Sequence, residues 1–168
     1  VRALDLDFPV LIPEGVDRCV ASITDDDALA EATKGVDAVI HAAAIAGLWT
    51  PSTFDYHHVN VAGTCRVLAA ARAAGARVVH VSSFTTLIGG APEPEQVLDE
   101  TVELTPSEML GPYPRSKREA ELAALGAAAA GHDVVVVMPS APVGPGDHRM
   151  TPPTAMIRDL AAGRTPAL

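Results

Sequence analysis

A chain of 168 residues is long enough to bury one sizeable core, and we expect a single domain over residues 1–168. Its apolar residues make up 48% of the total and its aromatic residues only 4%, so small aliphatic side chains must fill that core. The net charge of −9 repels nucleic-acid backbones and anionic lipids, and no apolar run reaches the length of a membrane span. These properties predict a cytoplasmic protein without nucleic-acid or membrane partners.

Strand-like and helix-like stretches alternate in the first half of the chain. Apolar runs of strand length lie at Val1–Leu6, Arg18–Ile23 and Val36–His41. Thr24 is predicted to cap a helix with an acidic first turn that runs to about Lys34, because carboxylates favour the positive end of a helix. A long helix is predicted from Thr50 to about Ala74. Cys19 and Cys65 are far apart and are interpreted as small buried hydrophobic residues.

The same alternation continues in the second half. The predicted elements are a strand Arg77–Ser83, a loop Ala91–Thr105, a helix Tyr113–Ala130, a strand Asp133–Met138 and a helix Thr154–Ala162. Strands that are apolar on both faces and are joined by helices indicate an α/β fold, with a parallel sheet covered by helices on both faces. Ligands of such sheets bind beyond the carboxyl ends of the strands, so we expect the functional residues to lie at these ends.

Tyr113 and Lys117 lie four residues apart at the start of a predicted helix and therefore share a face. An ammonium beside a phenol stabilises the phenolate, which suits a tyrosine that exchanges a proton with a carbonyl or alcohol oxygen. The chain has only two tyrosines and two lysines, so chance placement at this spacing is infrequent. The alternative is a surface Tyr and Lys on an amphipathic helix.

Hydroxyl groups crowd the carboxyl end of the strand Arg77–Ser83. Ser83 is the residue that we expect to hydrogen-bond a reacting oxygen, and Thr85 is its rival. The alternative is that these hydroxyls only satisfy backbone groups in a loop.

Three further stretches combine small residues with unusual positions. Ala42, Ala43 and Ala44 follow His41 at a strand end, where small side chains let a flat ligand approach the backbone or simply allow tight packing. Asn60 and Gly63 each cost stability inside a helix, which indicates a packing or hydrogen-bonding use. A loop of prolines and glycines leaves the last strand at Pro139.

Together, these motifs resemble the extended short-chain dehydrogenases, also called the NAD-dependent epimerase/dehydratase family. The resemblance covers nearly the whole chain. It is strongest to the dihydroflavonol-reductase-like branch and the hopanoid-associated sugar epimerases, through His41-Ala-Ala-Ala with Leu48-Trp49, Asn60-Val-Ala-Gly-Thr64, Tyr113-Pro-Arg-Ser-Lys117 and Pro139-Ser-Ala-Pro-Val-Gly-Pro-Gly-Asp147. It implies a Rossmann-like parallel sheet and NAD as cofactor, with NADP not excluded.

The resemblance also implies roles for individual residues. Tyr113 would be the acid/base, Lys117 would orient the nicotinamide ribose and tune Tyr113, and Ser83 would position the substrate oxygen. Asn60 would support the site. The cofactor would be lined by Ala42, Ala43, Ala44 and Pro139. Where the family has Gly-Asp this chain has Ala21-Ser22, so only Ser22 and Ile23 remain to line the adenine pocket.

The sequence departs from the family at its glycine-rich turn. No Gly-x-x-Gly-x-x-Gly occurs, although in the family this turn follows the first, central strand and binds the pyrophosphate. Val1–Leu4 matches the family's second strand, so we expect an incomplete sheet without the first strand and without a substrate domain. The chain is then a fragment, a truncated homologue or a relative that has lost cofactor binding. Asp5 or Asp7 could receive a ribose hydroxyl and so favour NAD.

Two functions follow from this reading. The first is an NAD(P)-dependent oxidoreductase or epimerase acting on a hydroxyl or carbonyl carbon of a sugar nucleotide or small alcohol. The second is a truncated, non-catalytic binding or interaction module. The six histidines show no metal-ligand spacing, so no metal is expected. A homodimer is predicted through outward-facing small residues of the long helix and the Tyr113 helix, namely Ala69, Ala73, Ala120 and Ala124.

Overall fold

The computed structural model describes residues 1–8, 12–46, 52–90, 97–147 and 150–164. The predictions for Leu48-Trp49, for the start of the long helix at Thr50-Pro51 and for the beginning of the 91–105 loop lie outside these residues. The chain divides into two compact units, Val1–Met138 and Pro139–Leu168.

In the described part of the first unit, five strands form two parallel sheets. Strands β1 (Arg2–Asp5) and β2 (Asp17–Val20) pair with each other, with Arg2 opposite Asp17. Strands β3 (Ala38–His41), β4 (Arg77–Val81) and β5 (Val134–Val137) form the second sheet in that order, with His41 opposite His80. All five predicted strands are present and every pairing between them is parallel, which confirms the predicted fold class.

A pocket of about 410 Å³ separates the two sheets. It is lined along its length by β1 and β3, and within the described residues these two strands share no ladder. The sheet is therefore split where the sequence predicts a missing central strand. Because of this gap, Ile40 on β3, which lines the pocket, is 74% exposed.

Helix α1 (Asp26–Thr33) covers this pocket from one side. Its N-cap is Asp25, whose carboxylate accepts a hydrogen bond from the Ala28 amide at 3.0 Å, so the prediction of a Thr24 cap is wrong by one residue. Thr24 instead bonds Ser22 Oγ at 2.8 Å. The guanidinium of Arg2 donates to three carbonyls at the C-terminal end of α1, which suits the negative end of the helix dipole.

In the described residues, the predicted long helix is divided into three consecutive helical segments. They are α2 (Thr53–Tyr56), a π-helix (His57–Gly63) and α3 (Thr64–Ala73). Ser52 caps α2 through its hydroxyl, which accepts from the Phe54 amide at 3.3 Å. Wider π turns occur frequently at functional positions, and this one carries Asn60 to Gly63, while Thr64, the last residue of that motif, begins α3.

Helix α4 (Pro112–Ala129) begins at a proline after Gly111, which adopts a positive φ of 113°. Ala120 and Ala124 on this helix are fully buried, so the prediction that they face outward is wrong; Ala124 belongs to the core that packs on β4.

Cys65 is exposed rather than buried, and Cys19 is half-buried. Short 3₁₀ helices lie at Phe84–Leu87 and Pro106–Glu108.

Helix α5 (Pro152–Ala161) belongs to the second unit. Among the residues described in the first unit, two small clusters of buried apolar side chains form the core. One joins α3, α4 and β4 around Val78, and the other joins α1 and α3 around Ile23 and Leu29. None of the helices in the described ranges has the length and apolarity required to cross a bilayer.

Candidate active site

Helix α4 carries Tyr113 in its first turn and Lys117 one turn later. Tyr113 is half-buried and its ring lies beside that of Tyr56, with 6.3 Å between the ring centroids. Lys117 is only 5% exposed, and its Nζ donates a hydrogen bond of 2.7 Å to the carbonyl of Val81, the last residue of β4. The lysine therefore connects the Tyr113 helix to the carboxyl end of the strand that leads to Ser83.

Ser83 begins the 3₁₀ turn Phe84–Leu87 and is buried. Its Oγ accepts from the Thr85 amide at 3.3 Å and from Thr85 Oγ1 at 2.9 Å. The local hydrogen-bonding role foreseen as an alternative is thus present. In both bonds Ser83 Oγ is the acceptor, and within the described residues its own hydroxyl proton is given to no other group, so it can still donate to a substrate oxygen.

A buried carboxylate lies between α4 and this turn. Glu121, at 1% exposure, accepts from Ser82 Oγ at 2.6 Å and from Thr86 Oγ1 at 2.8 Å, and it pairs with Arg118. Glu121 is not among the site residues predicted from the sequence. A signal was available, because Tyr113, Lys117 and Glu121 follow one another at intervals of four and so share one helix face.

The ammonium of Lys117 is held in an unusual environment. Burial lowers its pKa from 10.5 to about 8, and the negative charge of Glu121 raises that pKa and so opposes the shift. At neutral pH the lysine is consequently still largely protonated, as a group that stabilises a phenolate must be.

Two buried histidines, His41 on β3 and His80 on β4, lie side by side with 5.3 Å between ring centroids. Burial, followed by the charge of Lys117, lowers the pKa of His41 to about 4 and that of His80 to about 3, so both rings are neutral at pH 7. His41 Nε2 bonds Thr64 Oγ1 at 2.9 Å. Neither ring nitrogen of His80 has a partner within the described residues.

Asn60, on the π-helix, hydrogen-bonds the segment after β3 and helix α4. Its Oδ1 accepts from the Ile45 amide at 2.7 Å, and its Nδ2 donates to the Ile45 carbonyl at 3.1 Å and to Ser116 Oγ on α4 at 2.9 Å. Its carbonyl accepts from Thr64 Oγ1 at 2.6 Å. The hydrogen-bonding use expected of this asparagine is confirmed, and through Ser116 it supports the turn that carries Tyr113 and Lys117.

The residues predicted to line a cofactor are only partly brought together. Ile23, Ala42 and Ala43 line one end of the pocket between β1 and β3, and so does Asp5. Ser22 and Ala44 do not line this pocket: Ser22 bonds Thr24, and Ala44 is half-buried. Pro139 is exposed and belongs to the second unit.

Comparison with known proteins identifies relatives of matching type. A protein of Synechocystis sp. provisionally named dihydroflavonol 4-reductase is 35% identical over 153 residues, which are 90% of this chain and 44% of that protein. The 2-alkyl-3-oxoalkanoate reductase of Stenotrophomonas maltophilia is 34% identical, over 86% of this chain and 44% of its own length. The chain thus spans less than half the length of these relatives.

A solved structure places the fold in the same group. The dTDP-glucose 4,6-dehydratase DesIV of Streptomyces venezuelae, crystallised with NAD, is 27% identical with a TM-score of 0.71, and the match covers 89% of this chain and 46% of that one. Residues 6–168 match the family described as NAD dependent epimerase/dehydratase, which confirms the resemblance, its Rossmann-like fold and NAD as the cofactor of the family. The chain belongs to the NAD-dependent epimerase/dehydratase family.

Proposed function

We propose that this chain carries the catalytic elements of an NAD(P)-dependent oxidoreductase or epimerase that acts on a hydroxyl or carbonyl carbon of a sugar nucleotide or small alcohol. The observation that carries the proposal is the bond from Lys117 Nζ to the Val81 carbonyl. It fixes the helix that bears Tyr113 against the strand end that leads to Ser83, so an acid/base, a cation and a hydroxyl donor come from two adjoining elements.

Each group has a separate task in this proposal. Tyr113 gives a proton to the reacting oxygen or takes one from it. The ammonium of Lys117 stabilises the tyrosinate that this transfer leaves. Ser83 donates its hydroxyl proton to the same oxygen and holds it in place, since its local bonds use it only as an acceptor.

The nicotinamide end of the cofactor suits the residues present. An ammonium has three N–H donors and the Val81 carbonyl takes one, so Lys117 has donors left for ribose hydroxyls. Small, exposed Ala42 and Ala43 allow a flat group to approach the end of β3, and Ile23 offers an apolar contact. Bound NAD would accept or return the hydride. Asp5, which also lines the pocket, favours NAD over NADP because its carboxylate can accept a hydrogen bond from a free ribose hydroxyl.

Comparison with relatives supports the proposed substrate classes. The named relatives include a reductase of 3-oxoalkanoates and a dehydratase of a sugar nucleotide. Both reactions are carried out at a carbon that bears a hydroxyl or a carbonyl, which is the chemistry that Tyr113 and Ser83 serve.

Turnover by two hydroxyl-deletion variants tests the proposal. We expect Tyr113→Phe to abolish consumption of reduced nicotinamide with a panel of 3-oxo acids and keto-sugar nucleotides, because the proton donor is lost. The matched control is Tyr56→Phe, which removes the neighbouring phenol hydroxyl and should leave turnover in place. If wild type turns over, equal activity of Tyr113→Phe would refute the role of Tyr113.

The split sheet favours a second candidate, a binding or interaction module without turnover. The facing edges of β1 and β3 have no strand partner within the described residues, and such edges invite association. Exposed Ala69 and Ala73 on α3 leave a small-residue surface for a homodimer. We expect the 168-residue chain by itself to bind NAD and NADP poorly, because it carries no glycine-rich turn for the pyrophosphate. Calorimetric titration with both dinucleotides measures this, and micromolar binding would contradict it.

A further inference from the structure

We propose that Glu121 is a positioning residue that locks the Ser83 turn onto the Tyr113–Lys117 helix; its functional meaning rests on the function proposed above. The geometry that points to it is one buried carboxylate bonded to residues on both sides of Ser83. Ser82 precedes that serine and Thr86 lies three residues after it.

Glu121 is buried, so the hydrogen-bond donors around it are needed to compensate its charge. A carboxylate at 1% exposure is costly unless several donors compensate it. Two of its donors are the hydroxyls of Ser82 and Thr86, both bonded to Oε2, and the third is the Arg118 guanidinium on Oε1. Hydrogen bonds to an ionised acceptor are about twice as strong as neutral ones, so the carboxylate restrains the turn more firmly than an amide could.

Thr86 passes this restraint to Ser83 itself. Thr86 Oγ1 lies 2.8 Å from Glu121 Oε2 and 2.8 Å from the Ser83 carbonyl, so its single proton is shared between the two acceptors. The Ser83 backbone, the Thr86 hydroxyl and the α4 carboxylate thus form one connected unit. Loss of the carboxylate would release the turn that aims the Ser83 hydroxyl.

The partner of Glu121 extends the same connection to the segment ahead of α4. Arg118 Nε donates to the Leu104 carbonyl at 2.6 Å while its Nη1 pairs with Glu121. Both members of the pair are almost fully buried, with side-chain exposures of 9% and 2%. Residues around Leu104 are therefore fixed by the same charge pair as the Ser83 turn.

Glu121 also acts on the lysine one turn before it. Lys117 interacts electrostatically with Glu121, which raises its pKa, and with His41 and His80, whose pKa values it lowers. Both histidines are neutral at pH 7 because their pKa values are about 4 and 3. Glu121 is thus the charged neighbour that raises the pKa of Lys117 against the effect of burial. The same side chain therefore favours the protonated form of Lys117 and holds the serine turn in place.

The first test is the variant Glu121→Gln, which preserves size but removes the charge. The chain has two lysines, so NMR titration of labelled lysine side chains resolves Lys117 with exposed Lys34 as an internal reference. We expect the pKa of Lys117 to fall below its wild-type value of about 8. Amide exchange in the Ser83–Ile88 turn should be about tenfold faster or more, from the loss of charge-assisted bonds.

A second variant covers the case in which Glu121→Gln does not fold because Arg118 is left unpaired. Ser82→Ala with Thr86→Val removes both hydroxyl donors and leaves the Arg118 pair intact. We expect faster exchange in the turn with no fall in the pKa of Lys117. The matched control is Thr33→Val, which deletes a buried hydroxyl bond of 2.8 Å to Leu29 in α1, away from this site.

The outcomes separate this inference from the proposed function. If turn exchange and the pKa of Lys117 in Glu121→Gln match those of Thr33→Val, or if the double variant leaves turn exchange at the wild-type rate, Glu121 does not position the turn. Neither readout needs substrate or turnover. Should Tyr113→Phe retain activity while these readouts change as expected, the positioning stands and the proposed chemistry fails. With turnover available, Glu121→Gln should lower kcat more than it changes KM.

Discussion

Gly63, the last residue of the π-helix, approaches the Ile23 side chain so closely that a methyl group has no room. A Cβ built on Gly63 would lie 2.6 Å from Ile23 Cδ1 and 2.9 Å from Ile23 Cγ1. Ile23 is itself buried in the cluster with Leu29 and Val67, so it cannot move aside freely. We expect Gly63→Ala to force this contact apart and to destabilise the protein.

The magnitude follows from two opposing effects. Replacing a helical glycine by alanine gains roughly 1 kcal/mol in helix propensity. Overpacking a close-packed position costs roughly 1–3 kcal/mol. Gly126, on α4, has no atom within 4 Å of a built Cβ and supplies a matched control for the propensity gain. The difference in unfolding free energy between the two alanine variants should therefore be about 1–3 kcal/mol in favour of Gly126→Ala.

Urea unfolding followed by circular dichroism measures both variants against wild type, with an unchanged slope as the condition for comparison. Ile23→Val removes the nearer of the two clashing carbons, so adding it to Gly63→Ala should recover part of the loss. Equal shifts for Gly63→Ala and Gly126→Ala would refute the reasoning, because the steric cost at Gly63 would then be absent.

Three further predictions concern charge and capping. The pKa of Lys117 falls from 10.5 to about 8 on folding, so between pH 8 and pH 10.5 the unfolded chain binds more protons than the folded one. The unfolding free energy of wild type should therefore rise with pH relative to that of Lys117→Met, as urea titrations at stepped pH would measure. The pKa of His80 falls from 6.5 to about 3 on folding, so between these pH values the unfolded chain binds more protons. Wild type should therefore lose stability as the pH drops from 6.5 to 3, and His80→Leu should lose less, as acid-unfolding curves would reveal. Asp25→Ala should cost about 1 kcal/mol of helix stability because it removes the α1 cap. Asp27→Ala, in the same first turn, should cost less in thermal melts.

The strands and the Tyr113 helix could be predicted because their signals are local. A strand such as Val134–Val137 is almost wholly valine, and the helix that bears Tyr113 and Lys117 begins at a proline and ends before a glycine. Such signals arise from side-chain stiffness and backbone preference within a few residues. The parallel direction of the strands followed from the helices that join them, whereas their register and order did not.

The π-helix could not be predicted because its wider turn is set by distant contacts. Asn60 bonds Ile45, which precedes it by fifteen residues, and Ser116, which follows it by fifty-six. Apolar periodicity reports which face of a helix is buried but not whether its backbone bonds span four residues or five. Sequence alone therefore indicated that Asn60 has a use without revealing the turn that enables it.

The wrong predictions, of Thr24 as the cap of α1 and of an outward-facing alanine surface on α4, also have physical causes. Thr24 and Asp25 are neighbouring residues that can both cap a helix, and the choice depends on which backbone amide lies within reach. Ala120 and Ala124 carry no polarity to show which way they face, so only the packing of α4 on β4 reveals that they are buried. Glu121 was overlooked because a charged residue on a helix is usually solvated, whereas here three donors hold it inside.

The separation of the sheet into a pair and a triplet also implies an uneven distribution of stability. Strand β4 is bonded along both of its edges, whereas β1 and β2 form a ladder only with each other within the described residues. A two-stranded sheet is marginal by itself, so sub-global unfolding should begin at this pair while the triplet persists. Any molecule that inserts between β1 and β3 would oppose that first step, and its affinity would be measurable as a rise in melting temperature.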